Sequence, residues 1–179
     1  MKDTSLRELK QYLRTRTPEQ LVEEIGELFR KSDFVRDYYL VKLRGGEDDE
    51  PVRDKYKANI KDVFFPRRGG FTDGFPRLAV ARKAVSEYRK VAASPSGVAD
   101  LMLYYVETGV RFTNEYGDID EPFYNSMESM YERALKLIVE HGMQEPFGRR
   151  CQQVVYDTSG IGWGFHDQLG DLFDQYLGR

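Results

Sequence analysis

Cysteine, histidine and tryptophan are scarce in this chain: one Cys, two His and one Trp stand among 179 residues. The single thiol, Cys151, excludes an internal disulfide framework. With only His141 and His166 beside it, the chain has too few ligands for a zinc site built on Cys and His. No apolar run approaches the ~18 residues that a membrane span needs, and the opening Met1 to Glu8 lacks the apolar centre of a secretory leader. These absences give the expectation of a soluble, cytoplasmic protein with no membrane partner. Period-two alternation persists nowhere beyond short stretches such as 39–43, which argues against a sheet.

What is present is core material. Apolar residues make up 40% and charged residues 32%, with twelve Tyr and eleven Phe, which excludes an intrinsically disordered chain. At this length one domain buries roughly 70% of the surface its unfolded chain exposes.

Helix signals follow one another along the chain. Ser5-Leu6-Arg7-Glu8 is a capping-box pattern, giving a helix to about Tyr12 or Leu13. Thr17-Pro18-Glu19-Gln20 opens a stronger one to Lys31, with Leu21, Ile25, Leu28 and Phe29 at helical spacing. A third follows Ser32, carries Phe34, Tyr38 and Val41 on one stripe, and stops at Gly45-Gly46. The acidic run Glu47 to Glu50 reads as a solvated turn or as the negative first turn of a helix over 51–65. Residues 66–76 hold two prolines and three glycines and break the pattern. Helices are then expected over 78–91, 95–115, 121–141, 146–157 and 163–177, with Leu101, Tyr105, Phe112, Phe123, Met127, Met130, Tyr131, Ala134, Leu137 and Ile138 facing inward.

A shift of 42 residues lays 116–123 on 158–165, so that Ile119 meets Ile161 and Phe123 meets Phe165. The match extends at helical spacing, Tyr105 with Phe147, Phe112 with Val154, Met127 with Leu169, Met130 with Leu172 and Tyr131 with Phe173. The fold class expected is therefore all-α: one domain over 1–179, with short N-terminal helices over 1–65, a Gly/Pro/Arg loop over 66–76, and C-terminal helices over 77–179. The last part contains two related hairpins, about 95–141 and 144–179, stacked in a short HEAT/TPR-like array.

Charge is divided unevenly beneath a net of -3: residues 1–90 carry 21 Lys+Arg against 16 Asp+Glu, and residues 91–179 carry 6 against 14. The excess concentrates over 53–90, where 11 basic residues face 4 acidic ones. That segment either docks against the acidic half, stays solvated, or binds a phosphate-rich polymer. Arg67, Arg68 and Phe71 supply the mix of Arg and aromatic side chains on which single-stranded nucleic acids stack.

If the hairpins stack in parallel, their loops gather Asn114, Asp118, Asp120, Tyr124 and Asn125 from one side and Trp163, His166 and Asp167 from the other. These eight are the candidate binding residues for a partner or ligand. Carboxylates beside a histidine also suit a divalent cation or acid/base chemistry, which makes Asp118, Asp120, His166 and Asp167 the alternative metal set. The competing reading is helix capping, since Asp120 and Glu121 fall at a helix start and Asp157 to Gly160 at a helix end. No Glu-x-x-His pair, His-Glu-x-x-His run or calcium loop occurs, no cofactor is expected, and Cys151 sits on an apolar stripe as a small hydrophobe.

Over the blocks 101–107, 112–114, 117–118, 121–128 and 157–167, the start Ser-Leu-Arg-Glu-Leu-Lys, and the Phe-Phe-Pro-Arg-Arg loop, the chain resembles an uncharacterised bacterial family, a domain of unknown function of about this length. The resemblance implies bacterial origin and supplies no activity, substrate or cofactor. The function expected is a non-enzymatic module that holds a protein or peptide. Nucleic-acid binding through 53–90 is one alternative and a metal-dependent enzyme at the 115–125 and 157–167 loops the other.

Overall fold

The computed structural model describes residues 5–44, 49–67, 75–162 and 164–178. In them the chain forms nine helices and no strand: α1 (Leu6–Arg14), α2 (Pro18–Lys31), α3 (Asp33–Leu43), α4 (Glu50–Phe64), α5 (Leu78–Arg89), α6 (Pro95–Tyr116), α7 (Glu121–Glu140), α8 (Gln144–Tyr156) and α9 (Phe165–Leu177). The all-α expectation holds, and every expected helix is present within a residue or two of its ends.

The starts follow cap chemistry. Ser5 and Glu8 complete a capping box on α1, as do Thr17 and Gln20 on α2. Ser32, Ser94 and Asp120 each accept an amide of the first turn of α3, α6 and α7. Proline in the first turn of α2, α4, α6 and α7 costs no hydrogen bond, because those amides have no intrahelical partner.

α6 is the axis of the body. It packs on α4, α5, α7 and α8, while α9 covers α7 and α8. Its buried residues run all round the helix, from Val98 to Thr113, the pattern of a helix surrounded by others. At Gly109 the Met127 side chain of α7 fills the space that a Cβ would take. An aromatic cluster joins the elements: Phe64 lies 5.6 Å from Tyr105, 6.0 Å from Phe112 and 6.3 Å from Phe123, and Tyr124 lies 4.8 Å from Phe165.

Two hairpins are laid side by side. Tyr105 meets Ser126 and Thr113 meets Tyr124, so α6 and α7 run antiparallel. Across the hairpins, Asn114 reaches Asp157, Arg150 reaches Glu107 and Tyr176 reaches Glu132, at sequence separations of 43, 43 and 44.

Two features lay beyond the sequence patterns. The apolar stripe of α2 meets α3 without burying any of its residues: α1 and α2 contain no buried residue, and Ile25 and Leu28 stay exposed. Of the two readings of the acidic run, the first helical turn holds at Glu50, which opens α4, whereas Asp49 at the N-cap is not solvated: it is 5% exposed and accepts from Tyr88 Oη at 2.7 Å and the Ala93 amide at 2.9 Å. Cys151 is fully buried, and burial pushes its thiol up to about 12, so it is not a nucleophile at neutral pH. None of the described helices is long and apolar enough to cross a membrane.

Candidate binding groove

The two loops expected to adjoin do so. Asn114 Nδ2 donates to the Asp157 carbonyl at 3.0 Å, fastening the end of α6 to the end of α8. Their side chains, however, serve the loops themselves. Asp120 accepts from the Phe123 amide at 3.0 Å as the cap of α7. Tyr124, expected at the surface, is 3% exposed. Its hydroxyl lies 3.0 Å from Thr113 Oγ1, donates to Asp118 Oδ1 at 3.3 Å and accepts from the Ile119 amide at 3.3 Å. It is a clamp on the turn and offers a partner nothing to touch. His166 Nδ1 lies 3.0 Å from Thr158 Oγ1 and 3.2 Å from the Val155 carbonyl, closing the turn between α8 and α9.

Asp118, Asp120, His166 and Asp167 therefore do not converge, Asp167 standing exposed in the first turn of α9. Among the described residues no three His, Cys, Asp or Glu stand together as metal ligands. The physical reason is that Asp118, Asp120 and His166 already serve backbone or hydroxyl partners within their own turns. Trp163, Arg68 and Phe71 lie outside the described residues.

Part of the basic segment is neutralised from within. Arg53 and Lys57 pair with Asp100 at 2.9 and 2.7 Å, and Lys55 grips both oxygens of Asp37 at 2.9 Å. Arg150 forks onto Glu107, with bonds at 2.5 and 2.8 Å, and onto Asp100. Burial works against the charge of Asp100, yet Lys57 and Arg150 outweigh it and hold its carboxyl below the usual range. Burial likewise opposes the Arg150 charge, and Glu107 with Asp100 raises it above the ordinary guanidinium value. This network staples α4, α6 and α8, and its charges are occupied with one another. Arg67, by contrast, is exposed beside Asp62 at 3.4 Å.

The cations left over lie elsewhere, along a trough between α5 and α7. Both helices rest on α6. At one end, Phe75, Pro76, Leu78, Ile119 and Pro122 line an apolar pocket of about 280 Å³, with Asp120 at its edge. Arg82 and Pro122 are shared with the next pocket, also about 280 Å³, whose wall carries Asn125, Ser126, Ser129 and Arg133. The stripe continues along α7 to Leu137 and His141, which with Arg89, Ala92 and Val98 line a third pocket of about 240 Å³. From Pro122 to His141 the α7 wall is roughly 28 Å long at 1.5 Å per residue.

The trough is anchored from beneath. Tyr105 Oη, fully buried, bonds Ser126 Oγ at 2.7 Å, and Arg82 Nη1 donates to the same oxygen at 2.9 Å. Arg82 is thereby held over the groove. Neither it nor Arg89 nor Arg133 has a carboxylate partner among the described residues. The apolar spacing of Ala81, Val85 and Tyr88 turns Arg82 and Arg89 outward on α5, but no local pattern sets Arg133 opposite them. One signal was available: Asn125, Ser129 and Arg133 form a polar stripe at helical spacing opposite the apolar one.

A family model, described as a family of unknown function (DUF6155), matches residues 4–176. The chain belongs to that family. No curated protein and no solved structure matches it.

Proposed function

We propose that this member of a family of unknown function is a non-enzymatic binding module, and that its ligand is an extended, acidic segment of polypeptide lying in the trough between α5 and α7. One observation carries the reading: Arg82, Arg89 and Arg133 line a groove in which Asp120 is the one carboxylate among the pocket residues. A guanidinium without an internal partner is worth most to a molecule that brings the carboxylate. The apolar pocket at one end favours a polypeptide over a nucleic acid, since Phe75, Leu78 and Ile119 take aliphatic side chains better than phosphates. The two parallel hairpins support a HEAT-like or TPR-like repeat reading, and in such arrays a groove between helices is the ordinary place for a peptide. Such a module has no need of a catalytic residue, a cofactor or a membrane, and a cytoplasmic setting suits its one reduced thiol.

The test is fluorescence anisotropy with a labelled peptide of about twelve residues repeating Asp-Leu-Glu-Ser, with labelled oligo-dT of similar length as the comparison. Saturable peptide binding that weakens with salt is expected, together with a loss of tenfold or more in Arg82→Glu/Arg133→Glu at unchanged helicity. Peptide affinity that ignores the double reversal overturns the reading. Tighter binding of oligo-dT transfers it to nucleic acid and to the segment 53–90.

A further inference from the structure

A second apolar surface lies on the N-terminal helices, which bury none of their residues. Leu6 is 66% exposed, Leu9 45%, Tyr12 44%, Val22 72%, Ile25 40% and Leu28 53%. Side chains of this size are ordinarily scattered singly over a surface, and a contiguous set marks an interface. In α1 the apolar positions Leu6, Leu9 and Leu13 recur at spacings of three and four. In α2, Leu21, Ile25 and Leu28, flanked by Val22 and Phe29, do the same. This is the seam of helices that pack lengthwise on other helices.

Charge says which helices those are. Residues 5–16 carry four cations and one anion, and residues 17–29 carry four anions and no cation. Within one chain these opposites meet at the turn, where Glu24 accepts from Tyr12 Oη at 2.9 Å and pairs with Arg16 at 3.1 Å. Beyond it, Glu8 is taken by its own cap residue Ser5. Arg7, Lys10 and Arg14, which lie together beside the apolar stripe, have no carboxylate partner among the described residues, nor do Glu19 and Glu23 have a cation.

We infer that α1 and α2 form a dimerisation arm whose occupant is a second copy of this chain. Around a two-fold axis the basic α1 of one copy lies along the acidic α2 of the other, and the reverse contact follows from the symmetry. A surface that is basic on one helix and acidic on the next is complementary to itself in this arrangement. A single helix of one sign would repel its own copy.

Sedimentation equilibrium of the full chain, from about 1 to 100 µM, tests this. A dimer is expected at low salt, with a dissociation constant that rises at least tenfold as salt approaches 0.5 M. Two charge-reversed variants sharpen the result: Arg7→Glu/Lys10→Glu/Arg14→Glu, and Glu19→Lys/Glu23→Lys/Glu27→Lys. All six positions are exposed, so helicity is expected to persist and is checked by circular dichroism. Each variant alone is expected to be monomeric, and their mixture to form a one-to-one dimer. A wild-type chain that stays monomeric at 100 µM in low salt overturns the proposal, as do variants that dimerise separately. Co-flotation of a monomeric wild type with phosphatidylglycerol vesicles would reassign the arm to a membrane surface.

Discussion

α2 and α6 begin alike, each with a hydroxyl cap followed by proline, and each presents aliphatic residues at helical spacing. α6 buries thirteen residues and α2 none. The difference lies in the rest of the helix surface. α6 has four charged side chains in 22 residues (Asp100, Glu107, Arg111 and Glu115), so almost any face it offers a neighbour is apolar; α2 has six in 14. A narrow stripe needs a partner placed at one angle, whereas an apolar cylinder accepts helices from all sides. The body, from α4 to α9 with Val41 of α3 in its core, is therefore held by packing, and the arm of α1 and α2 by its caps, by the ties of Glu24 to Tyr12 and Arg16 and by contact with α3.

Truncations separate the two regimes. Leu103 on α6 is fully buried, and Leu103→Ala is expected to cost about 2–5 kcal/mol of unfolding free energy, the transfer loss plus a cavity. Leu28→Ala in α2, at 53% exposure, is expected within about 0.5 kcal/mol of the parent chain below the concentration at which copies associate. Urea unfolding at low micromolar concentration reads both. A cost above 1 kcal/mol at Leu28 would mean that the arm folds onto the body, and the contrast would fail.

The ionic staple is the next largest. Arg150→Met removes the partner shared by Glu107 and Asp100, whose side chains are 32% and 18% exposed. Breaking a fully buried pair costs about 3–5 kcal/mol, and this exposure reduces the expectation to about 1–3. Glu107→Met in the same background is expected to return part of it, which a double-mutant cycle measures. The staple also carries a pH signature. Because the Asp100 carboxyl is held below its ordinary value, its contribution is complete above the unfolded carboxylate range, about pH 4, and is lost as pH falls through the lower folded value. Melting temperatures of wild type and Asp100→Asn are expected to converge in that window. Parallel curves would show that the carboxylate contributes nothing.

Sequence patterns recovered the helices well, because caps and prolines act locally: Ser5, Thr17, Ser32 and Asp120 all stand where hydroxyl or carboxylate chemistry placed them. They also set the 115–125 and 157–167 loops beside each other. What they misjudged was the use of each polar side chain. Tyr124 and Asp118 look like a surface pair in one dimension, and only the packed turn turns the tyrosine inward. Arg82 and Arg133, 51 positions apart, belong to one groove because α6 separates and supports their helices, and no local pattern carries that information. The basic segment was legible as charge but not as pairing, since Asp100 and Asp37 reach it from other helices.

Caps in the two regions offer a finer comparison. Asp120→Ala removes the side-chain acceptor of the Phe123 amide in the body, and Ser5→Ala removes that of Glu8 at the start of the arm. The same chemistry is worth about 1 kcal/mol where the helix end must stay in place for the fold to close, and a few tenths or less where the helix frays alone. Amide exchange distinguishes them: global protection is expected to fall in Asp120→Ala, and exchange to quicken only within α1 in Ser5→Ala.

The smallest effect is the most discriminating. Val22 is 72% exposed, so Val22→Ser removes apolar surface that the isolated chain never buries, and the unfolding free energy is expected to shift by less than about 0.5 kcal/mol. If the arm is an interface, the same change weakens association, because the stripe then loses a side chain that the dimer does bury. Stability at dilution and the dimer dissociation constant must therefore respond in opposite measure, one flat and one raised several-fold. A chain in which both stay flat has an arm that packs on nothing. A chain in which both move has Val22 inside its own fold, and the division between packed body and waiting arm disappears.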